Sequence, residues 1–168
     1  MVAGLFLSPA ASLVLGVMGA GCVGLSHVVQ GPARLPADGL IALLAPFGVM
    51  LPALALRQVL VANGLGIPGF SSAEILVFLL AYAVFLMASF GVLPIDLYRF
   101  GYAVWPVACI ALALCLYALV TGNWFLAVVT VTAQGVWVAG WASDNWFDTM
   151  LHVALVPVAL ITLLIRLF

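Results

Sequence analysis

Apolar residues run along the chain in six blocks, each too long and too uniform to be one face of an amphipathic helix. The blocks cover about Leu5–Val29, Leu40–Ala62, Ser72–Gly91, Phe100–Val120, Trp124–Ala142 and Trp146–Phe168. A helix that is apolar all round is buried on every side, in protein or in lipid. Crossing a bilayer takes roughly 20 such residues. Turn-forming residues separate the blocks: Gly31–Gly39 with two prolines and two glycines, Asn63–Gly69, Leu93–Arg99, Thr121–Asn123 and Ser143–Asn145. The pattern predicts an all-α polytopic membrane protein, a six-transmembrane-helix bundle forming one domain over residues 1–168. Pro46 and Pro52 should kink the second span. Ser71 or Ser72 should cap the third, with Glu74 in its first turn, where the helix dipole favours an acid.

Composition agrees with the pattern. Of 168 residues 68% are hydrophobic and 5% charged, with four arginines, no lysine and five acids. Mean hydropathy is +1.40. A soluble domain carries about 25% charged residues, so a cytosolic enzyme, a nucleic-acid binder and a disordered regulator are all excluded. The expected location is an integral one, in the bacterial inner (cytoplasmic) membrane. The first 20 residues hold no Arg or Lys. Gly19-Ala20-Gly21-Cys22 therefore lacks the basic region of a cleaved leader, and the N-terminal block is expected to be a real first span. Cys22, Cys109 and Cys115 form no CxxC pair and read as small packing residues. Ser12, Gly16, Ala20 and Gly24 recur every fourth residue and make a small-residue face for close helix packing.

Six spans place both termini on one side, X, with the second and fourth connections. Side Y then holds the first, third and fifth. Arginines are tied, Arg57 and Arg166 on X against Arg34 and Arg99 on Y, so the positive-inside rule gives no orientation. Other polar residues are uneven. Side Y collects His27, Asp38, Asp96, Arg99, Asp144, Asp148 and His152, while Glu74 is the only acid on X. This is either ordinary loop solvation or a polar mouth. Asp148 and His152, four residues apart, would share a helix face, where a carboxylate can raise the imidazole pKa and fix its tautomer. His27 and His152 at similar depth are also a candidate axial pair for one b-type haem, though two isolated histidines more often only hydrogen-bond a neighbour.

In the fifth span Thr130, Gln134, Trp137 and Trp141 fall at spacings of four, three and four. Such a stripe offers hydrogen bonds and flat apolar faces to a small solute in a narrow path; it fits interhelical packing equally. No GxSxG, HExxH or phosphate loop occurs, and no ionisable residue lies near mid-span. The chain is therefore expected to be neither an enzyme nor a proton-coupled transporter, and no metal or other cofactor beyond the haem alternative is expected.

Ile95-Asp96, Arg99, Gly101-Tyr102 and Val107-Ala108 resemble the junction of the third and fourth helices in the AmiS/UreI family of urea and short-chain amide channels. Gly122-Asn123-Trp124 is similar to the Gly-Asp-Trp that opens that family's fifth helix, with Asn123 in place of the aspartate. The resemblance covers residues 75–142. It implies a six-helix passive channel or facilitator for urea or a short amide, selecting by a constriction of aromatic and small residues. Asp148-Thr149-Met150-Leu151-His152 departs from the family's sixth helix and is similar to the Asp-x-x-Leu-His of small four-helix membrane proteins. The chain should work as a homo-oligomer in the lipid bilayer. The alternatives are an accessory or assembly subunit of a larger membrane complex and a haem- or quinone-associated anchor.

Overall fold

The computed structural model describes residues 47–168. The first span with its small-residue face, Cys22, His27, Arg34, Asp38 and Pro46 lie outside the described residues. Those described are all-helical, without a strand: α1 (Met50–Ala62), α2 (Ser72–Ser89), a 3₁₀ turn (Tyr98–Tyr102), α3 (Val104–Thr121), α4 (Trp124–Val138), a short α5 (Trp146–Met150) and α6 (Leu155–Leu167).

Hydrogen bonds between distant segments gather the connections into two ends. On side X, Tyr117 donates to Glu74, Asn123 to the Gly69 carbonyl and Arg166 to the Phe70 carbonyl. On side Y, Tyr98 donates to Asp148, Asn145 to the Tyr98 carbonyl and the Val49 N–H to the Thr149 carbonyl. The long helices therefore alternate in direction, as the sequence blocks require.

The helices start differently at the two ends. α2 and α4 begin on side X with side-chain caps. Ser71 accepts from the Glu74 N–H while Glu74 accepts from the Ser71 N–H, a complete capping box; Asn123 accepts from the Leu126 N–H. α1, α3 and α6 begin on side Y, and their N-cap residues make no side-chain cap bond. Each instead has proline as its third residue: Pro52, Pro106 and Pro157. The first turn's N–H groups have no partner within the helix, so the missing donor is harmless there.

That placement corrects two expectations about prolines and span limits. Pro52 begins a helix and does not kink one. The second span is not continuous to Ala62 from residue 40, because Gly48 has φ +63°, a value that side chains disfavour, and the helix starts only at Met50. The fifth span stops at Val138, not Ala142, where the chain turns at Gly140. The sixth is not one helix from Trp146. Leu151 is extended (φ −117°, ψ 156°), and helix resumes at Leu155.

The core centres on α4, whose Phe125, Leu126, Val129, Thr130 and Ala133 are all buried, packed with Val107 and Ala118 of α3, Met50, Trp146, Met150 and Leu155. α2 and α3 bury only two residues each. Their outer faces expose Val77, Leu80, Trp105, Leu112, Leu119 and Val120. A surface this apolar suits lipid, not water. α2 and α3, 18 residues each, are long and apolar enough to cross a membrane. They extend about 27 Å at 1.5 Å per residue, against a hydrocarbon core of about 30 Å. α1, α4 and α6 are apolar but shorter, at 13, 15 and 13 residues.

Candidate functional site

Two places bring sequence-predicted residues together: a groove between α3 and α4, and a polar knot on side Y. The groove, about 440 Å³ and open on one side, is lined by Ala111, Leu112 and Cys115 of α3 and by Thr130, Gln134 and Gly135 of α4. Small side chains on both helices leave this space; a methyl added to Gly135 would touch nothing. The Thr130 hydroxyl is fully buried and donates to the Leu126 carbonyl at 2.8 Å, a bond within its own helix. The Gln134 Oε1 is buried with no hydrogen-bond partner. An acceptor in that state is short by about 1–3 kcal/mol until something donates to it.

The four-residue stripe is therefore split. Thr130 and Gln134 line the groove. Trp137 does not; its indole N–H donates to the Asp144 carbonyl at 2.8 Å and ties α4 to the next turn. Trp141 falls beyond the end of α4, with its backbone N–H bonded to the Val136 carbonyl.

On side Y the 3₁₀ turn and the Ser143–Met150 segment lock together through Asn145, which is completely buried. Its Nδ2 donates to the Tyr98 carbonyl at 2.9 Å, and its Oδ1 accepts from the Phe147 N–H at 2.8 Å, capping α5. Gly101 makes this possible. Any β-carbon there would overlap the Asn145 amide. Thr149, also fully buried, donates to the Ser143 and Asn145 carbonyls. The opening segment is stitched to the same place by the bond from Val49 to Thr149 at 2.7 Å. Rings pack around it: Phe85 on Phe147 (4.7 Å) and Tyr98 (6.3 Å), and Trp146 on Phe147 (5.6 Å).

The predicted charged residues sit on the rim of this knot. Asp148 accepts from the Tyr98 and Ser143 hydroxyls. Partial burial, and then the bond to Asp148, push the Tyr98 phenol well above its ordinary pKa, so it stays a neutral donor. Asp96 accepts from the Arg99 N–H, and the Arg99 guanidinium lies over the Phe100 ring. A shallow recess of about 460 Å³ runs beside Asp96 and Tyr98. Asp144 contributes its carbonyl to Trp137.

Asp148 and His152 do not share a helix face, because the break at Leu151 lies between them. His152 Nδ1 accepts from the Ala154 N–H at 3.1 Å, and its ring meets Phe47 edge-on. The imidazole thus serves an otherwise free N–H at the start of α6. An accepting Nδ1 leaves the proton of the neutral ring on Nε2. His27, the other histidine considered for an axial haem pair, lies outside the described residues.

Sequence reasoning singled out the charges and missed the neutral groups that hold them: Asn145, Thr149, Gly101 and Tyr98. The signal for Asn145 was present as an N-cap residue just before Trp146-Phe147, next to a more conspicuous aspartate. Among the described residues no group of three His, Cys, Asp or Glu side chains could hold a metal ion. The chain matches no family model, no curated protein and no solved structure.

Proposed function

We propose that the chain is an integral protein of the bacterial inner membrane and acts as a passive facilitator for a small neutral polar solute such as urea or a short-chain amide. The α3–α4 groove is its share of the path. The observation that carries this reading is the Gln134 carbonyl oxygen, an uncharged, buried acceptor without a partner beside an otherwise apolar groove, onto which a turn of its side chain would bring it. A solute with N–H donors and no charge is the ligand such a group can serve. No Asp, Glu, Lys, Arg or His side chain lines the groove, which disfavours ions. Its open side requires closure by a further helix, and a homo-oligomer supplies one. The resemblance of residues 75–142 to urea and amide channels supports the same solute class.

Stopped-flow swelling of proteoliposomes in urea or acetamide tests the proposal. Solute flux should exceed that of empty vesicles and fall about tenfold in Gln134→Leu, as when roughly 1.4 kcal/mol of solute stabilisation is lost. Flux no greater than that of empty vesicles ends the channel reading.

The open side of the groove favours one further reading, a non-catalytic accessory or assembly subunit. A partner helix carrying a hydroxyl or amide would satisfy Gln134 in the same way. Co-purification of one partner at fixed stoichiometry, lost in Gln134→Leu, would support it.

A further inference from the structure

We propose that Arg57 and Arg166 form a site on side X for the phosphate of an anionic phospholipid headgroup. The inference rests on the membrane reading and begins from a census of charge. Of the five acids, Asp96, Asp144 and Asp148 are on side Y, and Asp38 lies outside the described residues. Glu74, on side X, is already engaged, accepting from the Ser71 N–H at 2.6 Å and the Tyr117 hydroxyl at 2.7 Å. Among the described residues neither arginine has a carboxylate partner; their bonds go to backbone carbonyls.

Both guanidinium groups are held by backbone carbonyls of one loop. Arg57 donates Nε to the Pro68 carbonyl at 2.7 Å and an Nη to the Ile67 carbonyl at 2.9 Å; Arg166 donates an Nη to the Phe70 carbonyl at 2.8 Å. Arg57 lies five residues before the end of α1 and reaches up to the loop, as a long cation does near the end of a span. Gly69 lets it lie against the backbone, since a β-carbon there would stand 2.6 Å from Nη2. Residues 68 and 70 are at most about 7 Å apart along the chain, so both cations are anchored to one short stretch of backbone.

Carbonyl dipoles orient these cations but carry no net charge to neutralise them. Of the five N–H donors on each guanidinium, Arg57 uses two and Arg166 one. Two full charges with donors to spare, at the edge of an apolar bundle, call for an anion with several acceptor oxygens. The plane of lipid phosphates supplies one at that depth. Their fixed geometry lowers the ordering cost of binding. Among the described residues side Y is less suited to this part: it sets three carboxylates against Arg99, whose guanidinium lies over Phe100.

The test titrates the purified full chain, in neutral detergent, with dioleoylphosphatidylglycerol or dioleoylphosphatidylcholine and counts bound lipid by native mass spectrometry. With each arginine worth about fivefold, phosphatidylglycerol should bind roughly 25-fold more tightly. R166Q, which removes only an exposed contact, should cut the preference about fivefold, and R57Q/R166Q should abolish it. Equal retention of the two lipids overturns the site. Inorganic phosphate should not compete at matched concentration; competition equal to phosphatidylglycerol overturns the lipid assignment. Extraction of the chain from membranes by alkaline carbonate would instead overturn the membrane reading beneath it.

Discussion

The two ends of the bundle are held by opposite means. Side Y is closed by buried neutral groups. Asn145 and Thr149 have no exposed surface, and Gly101 gives the amide its room. Side X is closed by arginines gripping the backbone of a loop that is itself half exposed. The aspartates of side Y, Asp96, Asp144 and Asp148, lie outside the first turns of α1, α3 and α6. Of these three helices only α6 has a base, Arg166, in its last turn, so helix dipoles do not account for where the charges sit. Buried neutral bonds should therefore matter more to stability than the conspicuous charges.

The largest effect is expected at Gly101. Gly101→Ala must unseat Asn145 and should cost about 3 kcal/mol through overpacking and two lost buried bonds. The control is Gly135→Ala, in open space on a helix, which should be neutral or stabilise by up to about 1 kcal/mol. Thermal unfolding in detergent reads both, and equal melting temperatures for the two variants would break the contrast. Asn145→Ala comes next, at roughly 2 kcal/mol, because the Tyr98 carbonyl and the Phe147 N–H both lose a buried partner.

Arg57→Gln should cost less, about 1 kcal/mol, since water can reach the carbonyls it leaves. A loss larger than that of Asn145→Ala would reverse the ranking of the two ends. The smallest effect belongs to the rim. Because the folded state raises the Tyr98 pKa, its share of stability is fully present below the ordinary phenol pKa of about 10 and is lost as pH rises beyond it. Melting temperatures between pH 8 and 12 should fall more steeply for the wild type than for Tyr98→Phe. Parallel curves would show that the Tyr98–Asp148 bond does not contribute.

Parts of this were legible in the residues. Ser71 with Glu74, and Gly122 followed by Asn123, mark their helix ends through bonds made within a few residues. Gly122 takes φ +70°, as a helix-ending glycine does. The break at Leu151 was not legible. Leu151, His152 and Val153 sit in an apolar run that reads as continuous helix, and the chain leaves the helix where Gly48 and Val49 pack against it. The pairing of Asp148 with His152 failed for that reason. The stripe on α4 kept Thr130 and Gln134 together because four residues is one helical turn. It lost Trp137 to a carbonyl seven residues away.

The residues alone determined the helical class and the number and order of the apolar blocks. Apolar run length and first-turn chemistry are local, and they need no distant partner. Only the tertiary structure decided that the Gln134 carbonyl is buried without a partner beside an open groove, that Asn145 is the buried lock of side Y, and that Arg57 and Arg166 grip the same loop. The Asn145–Tyr98 and Arg166–Phe70 bonds span 47 and 96 residues, and the groove forms where α3 meets α4; in a chain this uniformly apolar hydrophobicity cannot distinguish one meeting from another.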